Sequence, residues 1–220
     1  MTVRNRGALA AMAAGVAALT VAALVACGSQ PAGNVGSEEA EDLATTSPSP
    51  TPTAAGPAVP VAKGELPSGA ETVPPTKLVI PGIDVTATVN AVGINQKTDE
   101  FEVPPSVDQI GWYRYGPGLE AKTGSVVIAG HVDSATQGKG AFFRLKELDQ
   151  GDTMTVTGSD GRARTYRVVA REEYQKTKIP LERYFARDGK PRLTLITCGG
   201  PFDAEARRYR DNIVVTAVPA

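Results

Sequence analysis

The sequence predicts an all-β fold, a closed or nearly closed β-barrel with short helices, placed behind an apolar N-terminal segment and a Pro-rich linker. All 6 Tyr, all 5 Phe and the single Trp lie after residue 75. Runs rich in Val, Ile and Thr recur through the same part of the chain, and helical spacing is confined to short pieces. A packed core needs large side chains, so we place the folded domain at residues 76–220.

Seven short runs in this domain have the composition and boundaries of β-strands. Each is bounded by Gly, Pro or Asp, and the turn Ser159-Asp160-Gly161 predicts a hairpin between the fourth and fifth runs. Two short helices complete the prediction: one with Phe142, Leu145 and Leu148 at helical spacing, and one that starts at Pro180 and buries Leu181, Tyr184 and Phe185. The seven predicted strands are 77–80, 83–94, 124–130, 152–157, 163–174, 192–198 and 212–218.

Residues 1–27 have the pattern of a signal or anchor segment. Arg4 and Arg6 precede an uncharged stretch rich in Ala, Val and Leu that is long enough to cross a bilayer. The stretch ends in Leu24-Val25-Ala26-Cys27, which resembles a bacterial lipobox, so Cys27 is a candidate for lipidation. An uncleaved transmembrane anchor is the alternative. Either reading predicts a protein held at the extracytoplasmic face of the cell membrane.

Residues 28–75 are predicted to be a disordered tether. Pro alternates with Ser and Thr from Thr45 to Thr53, which favours extended polyproline II backbone. The segment has no aromatic residue and few branched apolar residues, so burial cannot offset the entropy cost of ordering it.

The composition excludes several classes of function. The chain has 23 Lys and Arg against 24 Asp and Glu, which argues against a nucleic-acid-binding protein. One His and two Cys cannot supply a four-ligand Cys/His zinc site or a disulfide-rich scaffold. The composition therefore argues against a Cys/His metal site; with no clear cluster of acidic residues in the loops either, we predict no metal, and we predict no cofactor.

Three residues are candidates for catalysis. His131 and Cys198 each follow a predicted buried strand and precede a loop, where a side chain is held rigidly but stays accessible. An imidazole can activate a thiol and then protonate a leaving amine, and an Arg can balance charge on a tetrahedral intermediate. Arg207, Arg208 and Arg210 all fall between Cys198 and the last predicted strand, and Arg210 lies nearest that strand.

Residues from about 77 to 217 resemble the sortases, in detail those of the actinobacterial class F type. Ala129-Gly130-His131-Val132-Asp133-Ser134 resembles the histidine motif of that family. The segment from Leu193 to Cys198, Leu-Thr-Leu-Ile-Thr-Cys, resembles its Thr-Leu-x-Thr-Cys motif, and Arg208-Tyr209-Arg210-Asp211-Asn212 resembles its arginine motif. The segments 80–83 and 145–152 add weaker similarity.

The resemblance implies an eight-stranded β-barrel and a cysteine transpeptidase. Such an enzyme cleaves a Leu-Pro-x-Thr-Gly (LPXTG) sorting signal, holds the product as a thioacyl enzyme and transfers it to a cell-wall precursor amine. It implies Cys198 as nucleophile, His131 as general acid and base, Arg210 as stabiliser of substrate and oxyanion, and Thr197 as a substrate contact. Two alternatives stay open: a peptidase that hydrolyses such signals without transfer, and a non-enzymatic wall-binding lipoprotein.

Overall fold

The structure is a computed structural model that describes residues 33–45, 72–95, 97 and 100–220. Twelve strands and two α-helices, α1 (Ser37–Ala44) and α2 (Leu181–Tyr184), make up its main elements. Eight strands form the barrel, and they are β1 (Pro75–Ile80), β2 (Val85–Val92), β5 (Gln109–Tyr113), β6 (Ser125–Gly130), β9 (Thr153–Gly158), β10 (Ala163–Gln175), β11 (Arg192–Asp203) and β12 (Arg208–Pro219). The remaining four form two small hairpins, β3 (Ile94–Asn95) with β4 (Glu100–Phe101) and β7 (Asp133–Ser134) with β8 (Gly138–Lys139).

The barrel confirms the predicted fold class. Its strand order is β1-β2-β5-β6-β11-β12-β10-β9, and β9 pairs with β1 to close the sheet. Alternate residues of each strand point into the core, which is built from branched aliphatic side chains with Trp112, Phe142 and Tyr166. Pairing is antiparallel except for β2 with β5 and β6 with β11.

Both predicted short helices are present, with differences in detail. The first is a 3₁₀ turn over Leu145–Glu147, with Phe142, Leu145 and Leu148 fully buried as their spacing predicts. The second is α2, directly after Pro180. Tyr184 is buried there, but Leu181 is 52% exposed, so the prediction that it is buried is wrong. Phe185 is also only half-buried, because both it and Leu181 border an open hollow on the surface.

The sequence missed β5 and misplaced the end of β11. β5 reads Gln-Ile-Gly-Trp-Tyr, and the internal Gly111 breaks the β-branched pattern that marks the other strands. The predicted strand 192–198 continues to Asp203 and forms a hairpin with β12, which begins at Arg208. Cys198 and Arg210 therefore lie within strands, not at a strand end and in a loop as predicted.

Part of the predicted disordered tether is ordered, which corrects that prediction. Residues 37–44 form α1, and Val35 pairs with Arg171 of β10 through two backbone hydrogen bonds of 2.8 Å. At the other end of α1, the Leu43 carbonyl accepts from Arg192 Nη1 at 3.1 Å and from the Lys190 amide at 2.9 Å. The segment lacks large apolar side chains, and it is held on the barrel by backbone hydrogen bonds and by the buried Arg192 guanidinium instead.

The N-terminal predictions fall on residues for which no structure is described. The anchor segment 1–27, the candidate lipidation site Cys27 and the Pro-rich stretch 46–71 all lie outside the described residues. In the described part of the chain, no helix has the length and apolar character needed to cross a membrane.

The docking of α1 can be tested at Ala40, which is 2% exposed. Ala40→Glu would bury an unpaired carboxylate, so we expect α1 to detach from the barrel. An eight-residue helix is unstable alone in water, so the amides of residues 37–44 should then lose protection in hydrogen exchange. Glu38→Ala, at an exposed position of the same helix, is the control, and unchanged protection in Ala40→Glu would contradict the docking.

Candidate active site

The parallel register of β6 and β11 sets Cys198 beside His131. Leu195 pairs with Ile128 and Ile196 with Ala129, and the same register continued by two residues pairs Cys198 with His131. Neighbouring strands lie about 4.8 Å apart. Leu195 and Ile128 point into the core, so alternation directs Cys198 and His131 to the outer face of the sheet. Both residues are half-buried.

Thr197 of β11 links this strand to the end of β6. Its hydroxyl donates to the Gly130 carbonyl at 2.8 Å, and the residue is 4% exposed. The bond joins the residue before Cys198 to the residue before His131. The structure therefore gives Thr197 a positioning role inside the protein, and its contact with substrate stays a prediction.

The His131 imidazole contacts the loop between β4 and β5. Its Nε2 lies 2.9 Å from the Pro104 carbonyl oxygen. A carbonyl oxygen can only accept a hydrogen bond, so Nε2 carries a proton in this arrangement. Nδ1 is then the nitrogen that accepts or donates the mobile proton.

Arg210 lies on the same face as Cys198. Asn212 of β12 is the cross-strand partner of Cys198, and Arg210 is two residues away from it, which is about 7 Å along a strand. Arg208 lies four residues from Asn212, about 13 Å away. Arg207 sits in the hairpin turn with a left-handed φ of 51°. Of the three candidates, Arg210 is the one nearest to Cys198 along the strand.

A β-bulge in the hairpin stands opposite Arg210. Gly199 pairs with Asp211 and Phe202 pairs with Tyr209, so Gly200 and Pro201 oppose Arg210 alone. Gly200 has a φ of +69°, and a Cβ there would lie 1.9 Å from an Asp211 carboxylate oxygen. Glycine is therefore favoured at this position, because its φ is left-handed and a side chain would overlap the Asp211 carboxylate.

Two polar contacts hold this hairpin in place. Asp203 accepts from Arg210 Nη2 at 3.2 Å, and its pKa is lowered by the Ala206 amide first and by Arg210 second. Tyr209 donates its hydroxyl to Asp133 at 2.5 Å, a bond that raises the pKa of Tyr209. The second contact ties the hairpin that carries Arg210 to the segment that follows His131.

The outer face continues from Cys198 to an aromatic hollow that the sequence did not reveal. Tyr113 and Gly111 of β5 point to this face, because Ile110 and Trp112 fill the core. The Tyr113 ring lies 5.3 Å from Phe185 and 6.2 Å from Phe101, measured between centroids. These side chains border a hollow of about 350 Å³ together with Ile94, Leu181 and Glu182. Its members come from four separate parts of the chain, so no local pattern marks it.

A buried polar network holds α2 against the barrel beside this hollow. Glu172 of β10 is 2% exposed and accepts from the Tyr174 and Tyr184 hydroxyls at 2.7 Å each. Arg183 also pairs with it. Burial raises the pKa of both tyrosines, so they remain protonated donors at neutral pH.

A separate cavity of about 530 Å³ opens beside the thiol on the hairpin side. Cys198 and Tyr209 border it, together with the charged groups of Lys146, Arg171 and Glu173. In the described part of the chain, no three His, Cys, Asp or Glu residues are grouped so that they could hold a metal ion.

Comparison with known proteins matches this arrangement to one family. The sortase domain family matches residues 78–220. No protein with curated function matches the sequence. Among solved structures, sortase C-1 from Actinomyces oris is similar at 20% identity with a TM-score of 0.50, over 66% of this chain and 72% of that one.

Two further solved structures have the same fold. Sortase A from Corynebacterium diphtheriae is 22% identical with a TM-score of 0.50, over 67% of this chain and 60% of that one. The pilus-related sortase C of Group B Streptococcus is 16% identical with a TM-score of 0.50, over 69% of this chain and 68% of that one. At these identities the likeness concerns the barrel alone. The family match covers most of the chain, including the strands that bear Cys198, His131 and Arg210, and the protein therefore belongs to the sortases, which are cysteine transpeptidases.

Proposed function

We propose that the protein is a membrane-held sortase of the actinobacterial class F type that transfers LPXTG-bearing surface proteins to a cell-wall amine. The main support for a transpeptidase reaction is the strand register, which sets Cys198 beside His131 with Arg210 on the same face. The substrate type and the subclass rest on the sequence motifs around these residues. Because the chain is a sortase, the non-enzymatic alternative is set aside.

Each of the three side chains has a defined part in the proposed reaction. The Cys198 thiolate attacks the Thr carbonyl carbon, and the His131 imidazolium gives its proton to the departing Gly amine as the C–N bond breaks. Arg210 stabilises the negative oxygen of the tetrahedral intermediate. An acceptor amine then attacks the thioester, loses its proton to His131 and releases the thiolate.

The geometry of the outer face fits an extended peptide of this kind. On β6, Val127 lies four residues before His131, about 13 Å along the strand, and Tyr113 lies next to Val127 in the extended β5–β6 register. With the Thr carbonyl at Cys198, the Leu of the signal lies three residues away, about 10 Å in an extended chain. We therefore assign the aromatic hollow, which lies at the Tyr113 side of this face, to the Leu side chain.

The proposed location rests on the N-terminal sequence. The basic and apolar pattern of residues 1–27, with a lipid on Cys27 or an uncleaved transmembrane segment, holds the domain outside the cell. Surface proteins with sorting signals and cell-wall precursor amines meet at that face.

Transfer can be separated from hydrolysis with one assay. The full chain is incubated with an LPXTG peptide and a glycine-based amine, and the products and the protein mass are followed by mass spectrometry. We expect a thioacyl adduct on Cys198 and a ligated product. Cys198→Ala should abolish both, and Cys27→Ala, which removes the other cysteine, should leave both intact in detergent. Hydrolysed peptide without any ligated product would refute transpeptidation.

The role of Arg210 can be separated from that of its neighbours. Removing a donor that stabilises an oxyanion costs about 10²- to 10³-fold in kcat, and we expect a loss of that size for Arg210→Ala. Arg208→Ala should stay within about twofold of wild type, because Arg208 is exposed and lies two residues farther along β12 from the partner of Cys198 than Arg210 does. A larger loss in Arg208→Ala than in Arg210→Ala would show that the arginine assignment is shifted.

The hollow can be tested through substrate preference. Phe185→Ala should remove most of the preference for Leu-Pro-x-Thr-Gly over Ala-Pro-x-Thr-Gly, because apolar contact with one side chain changes kcat/KM by about 10- to 200-fold. A general folding defect would lower the rates for both peptides equally and leave their ratio unchanged. An unchanged ratio in Phe185→Ala would place the Leu side chain elsewhere.

A further inference from the structure

We propose that Pro104 and Gln137 position the catalytic imidazole: the Pro104 carbonyl holds Nε2–H, Gln137 holds the loop that carries Pro104, and Nδ1 is left to exchange protons with the reacting groups. This inference rests on the proposed function of His131 as general acid and base. Neither residue belongs to the three motifs that identify the site.

The first observation is the contact made by the ring itself. His131 Nε2 lies 2.9 Å from the Pro104 carbonyl oxygen, and the ring is only half-buried. A half-buried imidazole on an outer face has several rotamers open to it. A fixed acceptor on one nitrogen selects the ring orientation and the tautomer together.

The second observation is a side-chain clamp on the segment that follows Pro104. Gln137 Nε2 donates to the Pro105 carbonyl at 3.0 Å, and its Oε1 accepts from the Val107 amide at 3.2 Å. One amide side chain therefore satisfies a donor and an acceptor of the same loop. Gln137 belongs to the loop that starts at His131, so the clamp joins the loop that carries the imidazole to the loop that carries its acceptor.

The third observation is the backbone framework around this clamp. The Ala141 amide donates to the Val107 carbonyl at 2.7 Å, and the Phe142 amide donates to the His131 carbonyl at 3.1 Å. Both ends of the His131 loop are thus fixed. Gln137 is the side chain that fixes its middle to the Pro105–Val107 segment.

The fourth observation is that the sheet leaves room for Pro104. A Cβ on Gly111 of β5 would lie 3.2 Å from Pro104 Cδ and 3.1 Å from the Glu102 carbonyl oxygen. The missing side chain lets the loop lie directly on the outer face beside β6. Pro104 is therefore packed on the sheet that bears His131, and Gln137 holds the residues that follow it, Pro105 and Val107.

This arrangement matters because general acid and base catalysis depends on orientation. A ring free to rotate would present either nitrogen to the thiol, and only one orientation would transfer the proton productively. Misplacement of a catalytic group by about 1 Å can cost up to 10²-fold in rate. Loss of the clamp leaves the ring and its basic nitrogen present, so we expect a smaller loss of about tenfold.

The test uses the fact that His131 is the only histidine of the chain. The full chain without a histidine tag, labelled with ¹⁵N-histidine and held in detergent, gives one imidazole in a long-range ¹H–¹⁵N spectrum. The two ring nitrogens resonate far apart in a neutral imidazole, so the spectrum reports which one carries the proton. We expect the Nε2–H tautomer in the wild-type protein and a mixture of tautomers in Gln137→Ala.

Kinetics with the LPXTG peptide give the second readout. We expect Gln137→Ala to lower kcat about tenfold with KM within about twofold, because the ring and not the peptide site is affected. Gln137→Glu keeps the acceptor for Val107 but loses the donor to Pro105, and it should fall between wild type and Gln137→Ala. Thr136→Ala, in the same loop but bonded only to Ser134, is the matched control and should keep the wild-type spectrum and rate.

The possible results distinguish the positioning proposal from the catalytic assignment of His131. An Nδ1–H tautomer in the wild-type protein would overturn the proposal without any variant, as would wild-type kcat and a wild-type spectrum in Gln137→Ala. Full activity in His131→Ala would refute the proposed function of the histidine, and that result does not depend on the spectrum of the wild-type ring. Failure of the positioning proposal and failure of the catalytic assignment are therefore distinguishable.

Discussion

The site depends on the parallel pairing of β6 and β11. Every residue of β6 is buried, and so are the residues of β11 from Arg192 to Thr197 except Ile196. A slip of one residue in either strand would turn core side chains such as Leu195 outward and Cys198 inward, so the register is strongly specified. The buried bond from Thr197 to the Gly130 carbonyl fixes the same register at the end of the ladder. The hydrophobic core thereby determines the placement of two half-exposed reactive side chains.

The third side chain of the site, Arg210, is positioned by the β11–β12 hairpin beyond Cys198 and not by the β6–β11 pairing. A strand that ended at Cys198 would leave Arg210 in a loop, whereas the β11–β12 hairpin holds it at a fixed distance along a strand. The bulge at Gly200 and Pro201 bends the hairpin locally, and Asp203 gives the guanidinium a partner within the protein. Arg210 has a side-chain exposure of 64%, so the ion pair with Asp203 contributes little and leaves the guanidinium accessible from solvent.

The elements that could be predicted from the sequence are those marked by a pattern of neighbouring residues. Runs of Val, Ile and Thr predicted seven of the eight barrel strands. The buried runs before His131 and Cys198 were found as well, although Cys198 lies within β11 and not after its end. β5 was missed because Gly111 interrupts its pattern, and the need for glycine there comes from close contacts with Val92 of β2 and with the Glu102–Pro104 loop, which no local pattern marks. The Pro104 carbonyl is a backbone group, which no residue pattern marks. The aromatic hollow joins Phe101, Tyr113 and Phe185, which only the closed barrel brings together.

The ordered segment before the barrel was missed for a related reason. Its helix buries one small side chain, Ala40, and gains most of its contacts through backbone groups. Arg192 is 3% exposed and donates to the Leu43 carbonyl of α1 as well as to the Arg183 carbonyl of α2, at 3.1 Å and 2.9 Å. Burial lowers the pKa of this guanidinium, yet its four carbonyl partners compensate for the lost hydration.

Two buried charged side chains, Glu172 and Arg192, hold α2 in place. Glu172 binds Arg183 and Tyr184 from the barrel, and Arg192 binds the Arg183 carbonyl from the start of β11. Removing either partner would leave a buried charge without compensation, so the network favours one position of α2 over all others. Phe185 follows α2 directly and forms one wall of the hollow. The segment before the barrel thus contributes, through Arg192, to the wall against which we place the substrate.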